Sequence, residues 1–209
     1  STGDNFYPSG VKDVDDPQWR RSFEDVFPAK DLPVPFWAVL GNHDYRSNPD
    51  AQVDYSGCKL ADGSTTRWRM PGRSWSTRFA SPDGSLTVRV IGIDTQQLVG
   101  DAKRRNAHLA WIDSALAQSK EQWLLVVGHH PVYSHGLYGD NATLKKHLAP
   151  MMEKYGVHAY LDGHEHDLQV IKKVNGVRYL ISGGGGGKRK TEPGDRTEFS
   201  SSTLGFMRL

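Results

Sequence analysis

Three short apolar runs in this chain each end in a cluster of polar, metal-binding side chains, and that pairing constrains the fold more than any other feature. Residues 35–40 include Phe36-Trp37-Ala38-Val39-Leu40 and lead into Gly41-Asn42-His43-Asp44. Residues 123–127 lead into Gly128-His129-His130-Pro131, and residues 157–161 into Asp162-Gly163-His164-Glu165-His166. Runs of this length suit buried strands rather than helices. Polar groups just past the C-terminal end of a buried strand are where open α/β sheets place their chemistry. In an extended segment residues i and i+2 share a face, so His164 and His166 can present their imidazoles side by side.

The rest of the chain fits an α/β class. Gly3-Asp4-Asn5-Phe6-Tyr7-Pro8 opens it as a loop in which Asp4 and Tyr7 are potential oxygen ligands. Asp16-Pro17 reads as the cap and first turn of a helix with Trp19, Phe23, Val26 and Phe27 at helical spacing. Residues 45–74 read as a long irregular loop that walls a cleft. Strands are expected at 74–80 and 86–93, around a Pro82-Asp83-Gly84 turn. A second hairpin is expected at 168–173 and 177–181, across Asn175-Gly176. Helices are expected at 106–118 and at 142–155, the latter kinked at Pro150, and a last strand begins at 204–209. Five glycines at 183–187 lack the lysine spacing of a phosphate loop and read as a close backbone approach to the metal loops.

Length and charge narrow the function. A chain of 209 residues suits one domain, 1–209, with a real core. With 26 basic and 24 acidic residues, and no basic run longer than Lys188-Arg189-Lys190, no nucleic-acid partner is indicated. No apolar run approaches the roughly 20 residues of a membrane span. A single cysteine, Cys58, excludes an intrachain disulfide and an all-cysteine metal site. His108, His147 and His158 lie outside the clusters and read as structural or surface residues, and Asn141-Ala142-Thr143 is a glycosylation triplet. The abrupt start at Ser1 suggests a fragment truncated at both ends.

Six of the nine histidines, His43, His129, His130, His135, His164 and His166, fall in three loops that each follow a strand. With Asp4, Tyr7 and Asn42 they form an oxygen and nitrogen donor set without sulfur, suited to iron, zinc or manganese. Two metals fit better than one, because a pair can clamp a phosphoryl group and activate water. A bridging carboxylate is then needed, and Asp4 is its natural candidate. His130 reads as a core residue or a partner of the ligands rather than a ligand.

Gly3-Asp4-Asn5-Phe6-Tyr7, Gly41-Asn42-His43-Asp44, Gly128-His129-His130-Pro131-Val132 and Gly163-His164-Glu165-His166 resemble, in order, four of the five motifs of the purple acid phosphatases. These belong to the calcineurin-like metallophosphoesterase superfamily, and the resemblance is closest to the small tartrate-resistant type. It implies an α/β/β/α sandwich of two face-to-face sheets with helices outside, and a metal site on loops at the strand C-terminal ends. It further implies acid phosphatase activity on small phosphate monoesters, by hydroxide activated at a dinuclear centre.

Carried over by position, Asp4 would bridge the metals, and Tyr7 and His166 would bind Fe(III), the phenolate giving the purple colour. Asn42, His129 and His164 would bind the divalent ion, which is iron, zinc or manganese. His43 and His135 would contact substrate or protonate the leaving group. The family's first motif, Asp-x-Gly, has no counterpart here, and the run from His129 to His135 is shorter than in small mammalian members. These departures keep two alternatives open: a phosphodiesterase of the same superfamily, and a non-catalytic phosphate- or metal-binding relic. The resemblance favours a secreted, lysosomal or vacuolar setting.

Overall fold

Alternation along the central strands gives the sheet two apolar faces, and the fold follows from what covers each. The computed structural model describes residues 1–208. Its strands are β1 (Phe36–Trp37), β2 (Trp68–Arg69), β3 (Trp75–Ala80), β4 (Thr87–Gly92), β5 (Trp123–Val127), β6 (Ala159–Asp162), β7 (Leu168–Val174), β8 (Val177–Ser182) and β9 (Thr197–Ser201). Its α-helices are α1 (Asp50–Asp54), α2 (Thr95–Val99), α3 (Ala102–Ala117), α4 (Ala142–His147) and α5 (Ala149–Lys154).

Seven strands form one mixed sheet in the order β3-β4-β5-β6-β8-β7-β9. Its centre is parallel, with β4 on β5, β5 on β6 and β6 on β8. Parallel neighbours need crossovers, which α2 and α3 supply between β4 and β5, and α4 and α5 between β5 and β6. These helices cover one face. Leu124 and Val126 of β5 pack there with Ile91, Ile112, Leu116, Leu144, Leu148, Met152, Tyr160 and Tyr179. Asp101 caps α3 by accepting from the Lys103 and Arg104 amides, and Asn141, the glycosylation-triplet residue, caps α4 in the same way. The expected kink at Pro150 is a break at Leu148, which ends α4 and starts α5.

Val90 and Val127 face the other side, against a second core of Phe6, Trp19, Phe23, Tyr55, Trp68, Met70, Trp75 and residues 38–40. Trp19 stacks on Tyr55 at 3.6 Å between ring centroids. The indole N–H groups of Trp19, Trp68 and Trp75 donate to the carbonyls of Asp13, Gln52 and Ala38, so these rings are buried without an orphaned donor. The β-structure on this side is only the two-stranded parallel pair β1–β2, and the two sheets are therefore unequal.

Three local expectations change. Residues 45–74 hold a 3₁₀ turn (Asp44–Arg46), α1 and β2, and much of this segment packs into the second core. The helix after Pro17 contains a π-helical turn, Arg20–Glu24, that buries Phe23 but leaves Val26 and Phe27 exposed. The last strand is β9, which pairs antiparallel with β7. Residues 204–208 form no strand, and Leu209 lies outside the described residues. The two hairpins form as expected, β3 with β4 and β7 with β8. In the second, Asn175 and Gly176 both have positive φ, 48° and 90°, as a type I′ turn requires.

Candidate metal centre

Phe6 explains how the first loop is held. Its ring is buried edge-on against Trp19 at 4.8 Å, which fixes its neighbours Asp4 and Tyr7 above the second core. Asp44 ties this loop to the one after β1. Its carboxylate accepts from the Asn5 and Gly41 amides and from the side chains of Asn5 and Gln52, at 2.8 to 3.3 Å. Burial pushes the Asp44 carboxyl up to about 6 against these donors. Gly41 leaves the space that Asp4 occupies; a Cβ there would collide with the Asp4 carboxylate and amide.

Asp4 sits in the left-handed region at φ 52°, and His164 does so at φ 64°. Such conformations are costly for non-glycine residues and gather at functional sites. Asp4 Oδ1 accepts from the His43 amide at 2.8 Å, while Oδ2 accepts from the Tyr7 hydroxyl at 2.9 Å and lies 3.4 Å from His129 Nε2. Burial opposes the charge, but the adjacent His129 ring and the hydrogen bonds from the His43 amide and the Tyr7 hydroxyl hold the Asp4 carboxyl far below the usual carboxylate range. The Tyr7 oxygen also lies 3.2 Å from His166 Nε2. Burial and the Asp4 charge hold its phenol above its ordinary value.

On the other side of Asp4, His129 Nε2 lies 3.1 Å from Asn42 Oδ1 and 3.1 Å from His164 Nδ1. Burial lowers the His164 imidazole to about 4, so this ring is a neutral donor into mildly acidic solution. The tautomer of His129 is set by its other nitrogen, because Nδ1 is 2.8 Å from the Thr2 carbonyl and must carry the proton. Nε2 is then a lone pair aimed at two other acceptors, Asn42 Oδ1 and Asp4 Oδ2. Adjacent ligands held about 2.1 Å from one cation lie about 3 Å apart, which matches these separations. The cluster therefore fits a cation on each side of Asp4: Asn42, His129 and His164 on one, Tyr7 and His166 on the other.

The structure thus brings together all six residues expected as ligands, Asp4, Tyr7, Asn42, His129, His164 and His166. His43 is beside them, its ring 4.3 Å from Tyr7 and its Nδ1 2.8 Å from the Pro8 carbonyl. His130 groups by distance with His129 and His164, yet the Thr95 hydroxyl already accepts from the amides of residues 129 and 130. Its one proton goes to His130 Nδ1, 2.8 Å away, which leaves the proton on Nε2 and removes the lone pair a ligand would need. His130 is thus a packing partner of the ligands, as expected.

His135 is not brought in. Its amide donates to Gln169 Oε1, its ring packs on Gly194, and its Nε2 faces Asp195 at 3.5 Å, beyond good hydrogen-bond alignment. The aromatic ring that lies over His164 instead is Tyr138, stacked at 4.5 Å and 25°. Sequence reasoning missed it because a histidine carried the signal and a tyrosine did not. The glycine run does approach the metal loop: the amide of Gly183 donates to the Asp167 carbonyl, and a Cβ on Gly183 would strike the Glu165 carbonyl. The cleft beside Tyr7, about 470 Å³, is lined by Tyr7, Pro8, Ser9, Gln18, Arg21 and Ser22, and not by residues 45–74.

The model of the calcineurin-like phosphoesterase family matches residues 1–168. Tartrate-resistant acid phosphatase type 5 of Oryctolagus cuniculus is 40% identical over 200 residues, covering 88% of this chain and 60% of that protein. Purple acid phosphatase 3 of Arabidopsis thaliana is 31% identical over 204 residues, covering 88% and 53%. The chain spans about 60% or less of the length of these curated relatives. Among solved structures, GAP50, described as the anchor in the inner membrane complex of Plasmodium, superimposes with a TM-score of 0.85 at 29% identity, covering 99% of this chain and 68% of that one. Purple acid phosphatase PPD1 of yellow lupin, at 17% identity and a TM-score of 0.67, shares the fold over 90% of this chain and 38% of its own. A family match over most of the chain means that this protein belongs to the calcineurin-like phosphoesterase family.

Proposed function

We propose that this chain carries the dinuclear centre of a phosphate monoester hydrolase, an acid phosphatase of the purple type. The observation that carries the reading is the convergence of His129 Nε2, Asn42 Oδ1, His164 Nδ1 and the Asp4 carboxylate, with neighbouring atoms 3.1 to 3.4 Å apart. Asp4, Tyr7 and His166 would hold Fe(III), and Asp4 with Asn42, His129 and His164 would hold a divalent iron, zinc or manganese ion. A bound metal pair supplies positive charge to the phosphoryl oxygens and lowers the pKa of water toward 7.

The chain's own residues supply the rest. Thr2 fixes His129 through its carbonyl, and Asp44 holds the Asp4 and Asn42 loops in register. His43, whose Nδ1 is engaged by the Pro8 carbonyl and whose ring lies beside Tyr7, is the proton donor to the leaving alkoxide, through Nε2. His135, turned toward Asp195, has no part in that step. The substrates are small phosphorylated molecules, and the cleft beside Tyr7 takes the leaving group. A secreted, lysosomal or vacuolar setting is supported by the resemblance and by the glycosylation triplet at Asn141.

The test is turnover of a chromogenic phosphate monoester against its diester by the metal-loaded chain at mildly acidic pH. Preference for the monoester, lost in His43→Ala, is expected; faster diester turnover makes the protein a phosphodiesterase. A second reading has support from the similarity to a protein described as an anchor: the fold keeps the cluster but serves attachment. It predicts metal and phosphate binding without turnover of either ester.

A further inference from the structure

Glu165, between the two histidine ligands, is fully buried, and its carboxylate organises the loop that follows β5. It accepts from the Tyr138 amide at 2.7 Å, the Leu137 amide at 3.0 Å and the Ser134 hydroxyl at 3.2 Å. That loop therefore has one position relative to the metal loop, and it delivers the exposed ring of Tyr138 onto the His164 imidazole. Arg189 approaches from the glycine run. Its amide donates to the His166 carbonyl at 2.7 Å, its Nη1 reaches the His164 carbonyl at only 3.5 Å, and its guanidinium lies 5.2 Å from the Tyr138 ring centroid. Among the described residues no carboxylate forms an ion pair with it.

A guanidinium has five N–H donors in a planar fork that matches two oxygens of a phosphate. Here one donor makes a long contact to a carbonyl, and the cation is braced by an aromatic face rather than neutralised by an acid. Backbone and ring contacts hold the charge at the edge of the donor cluster, where the phosphoryl group of an ester would sit. We propose that Arg189 is the phosphate-binding residue of this site, donating to non-bridging oxygens of the bound phosphate, and that Tyr138 is the platform that positions it. The inference rests on the phosphoester reading, but it makes a separate claim about binding.

The test uses inorganic phosphate titrated calorimetrically into the metal-loaded chain, with metal content measured in the same samples. Arg189→Ala should weaken phosphate binding on the order of tenfold or more, the scale of a charge-assisted, two-pronged contact, with metals retained. Arg189→Lys should recover part of the loss. Tyr138→Ala should weaken binding severalfold, and Tyr138→Phe, which keeps the ring, should restore most of it. Lys188→Ala, which removes the neighbouring exposed cation, should leave it unchanged. For any hydrolysed ester, KM should rise in Arg189→Ala more than kcat falls. Phosphate binding in Arg189→Ala equal to wild type, or loss of metal in that variant, overturns the proposal. Arg189-dependent phosphate binding without ester turnover would support it while ending the hydrolase reading. Turnover indifferent to Arg189 would do the reverse.

Discussion

His129 Nε2 faces Asn42 Oδ1 across 3.1 Å as acceptor against acceptor, because the opposite nitrogen of the ring is committed to the Thr2 carbonyl. A buried arrangement of this kind is unfavourable unless a cation or an additional proton sits between the groups. On the other side of Asp4 the Tyr7 hydroxyl donates to the carboxylate and lies beside His166 Nε2, so it is the cohesion of the His129 side that depends on what the site binds.

Tyr7→Phe removes the phenol that contacts both Asp4 and His166. If Tyr7 binds Fe(III), visible absorption of the iron-loaded protein disappears in the variant while the metal on the Asn42 side remains. A retained band assigns the iron ligand elsewhere.

His135→Ala should leave kcat/KM for a phosphate monoester unchanged, because the ring packs on Gly194 and Asp195. A fall on the order of 100-fold, the scale of a lost general acid, would place it in the chemistry after all.

These outcomes mark where the sequence was readable. Asn42, His129, His164 and His166 were legible because each follows a short apolar run, and strand ends fix the direction of what comes next, as at Val127 and His129; Asp4 and Tyr7 were legible only as oxygen donors of the opening loop and through the motif they share. His135 and Tyr138 lie further along one loop, and which of them reaches the cluster is decided by three hydrogen bonds to Glu165, a residue distant in sequence. The segment 45–74 looked irregular because its order comes from contacts such as Trp68 to Gln52 and Tyr55 to Trp19, not from periodicity. The smallness of the second sheet is equally non-local, since β1 ends at Trp37 and residues 38–40 are buried against that aromatic core, with Val39 bonded to Ser1 rather than to a strand.

Gly41→Ala puts a methyl group where Asp4 stands. Expected is a folded protein, by near-ultraviolet circular dichroism, whose kcat/KM falls on the order of 100-fold, the effect of a reacting group displaced by about 1 Å. Unchanged activity would mean that the Asp4 loop is free to shift.

Away from the site, Arg89 holds Glu121 through two hydrogen bonds, at 2.6 and 3.1 Å, which bring its carboxyl down to about 2. A carboxylate depressed in the folded state stabilises above its unfolded value, near 4.5, and loses that contribution as pH falls toward 2. Melting temperatures of wild type and Glu121→Gln should therefore differ at pH 6 and converge by about pH 2. A difference that stays constant over that range would show that the pair contributes through packing alone.

The most direct measurement is elemental analysis of the purified chain beside His164→Ala. Expected are about two metal ions per wild-type chain, iron among them, and loss of the divalent ion in the variant. A wild-type chain without metal, or undiminished metal in His164→Ala, would contradict the centre built around Asp4.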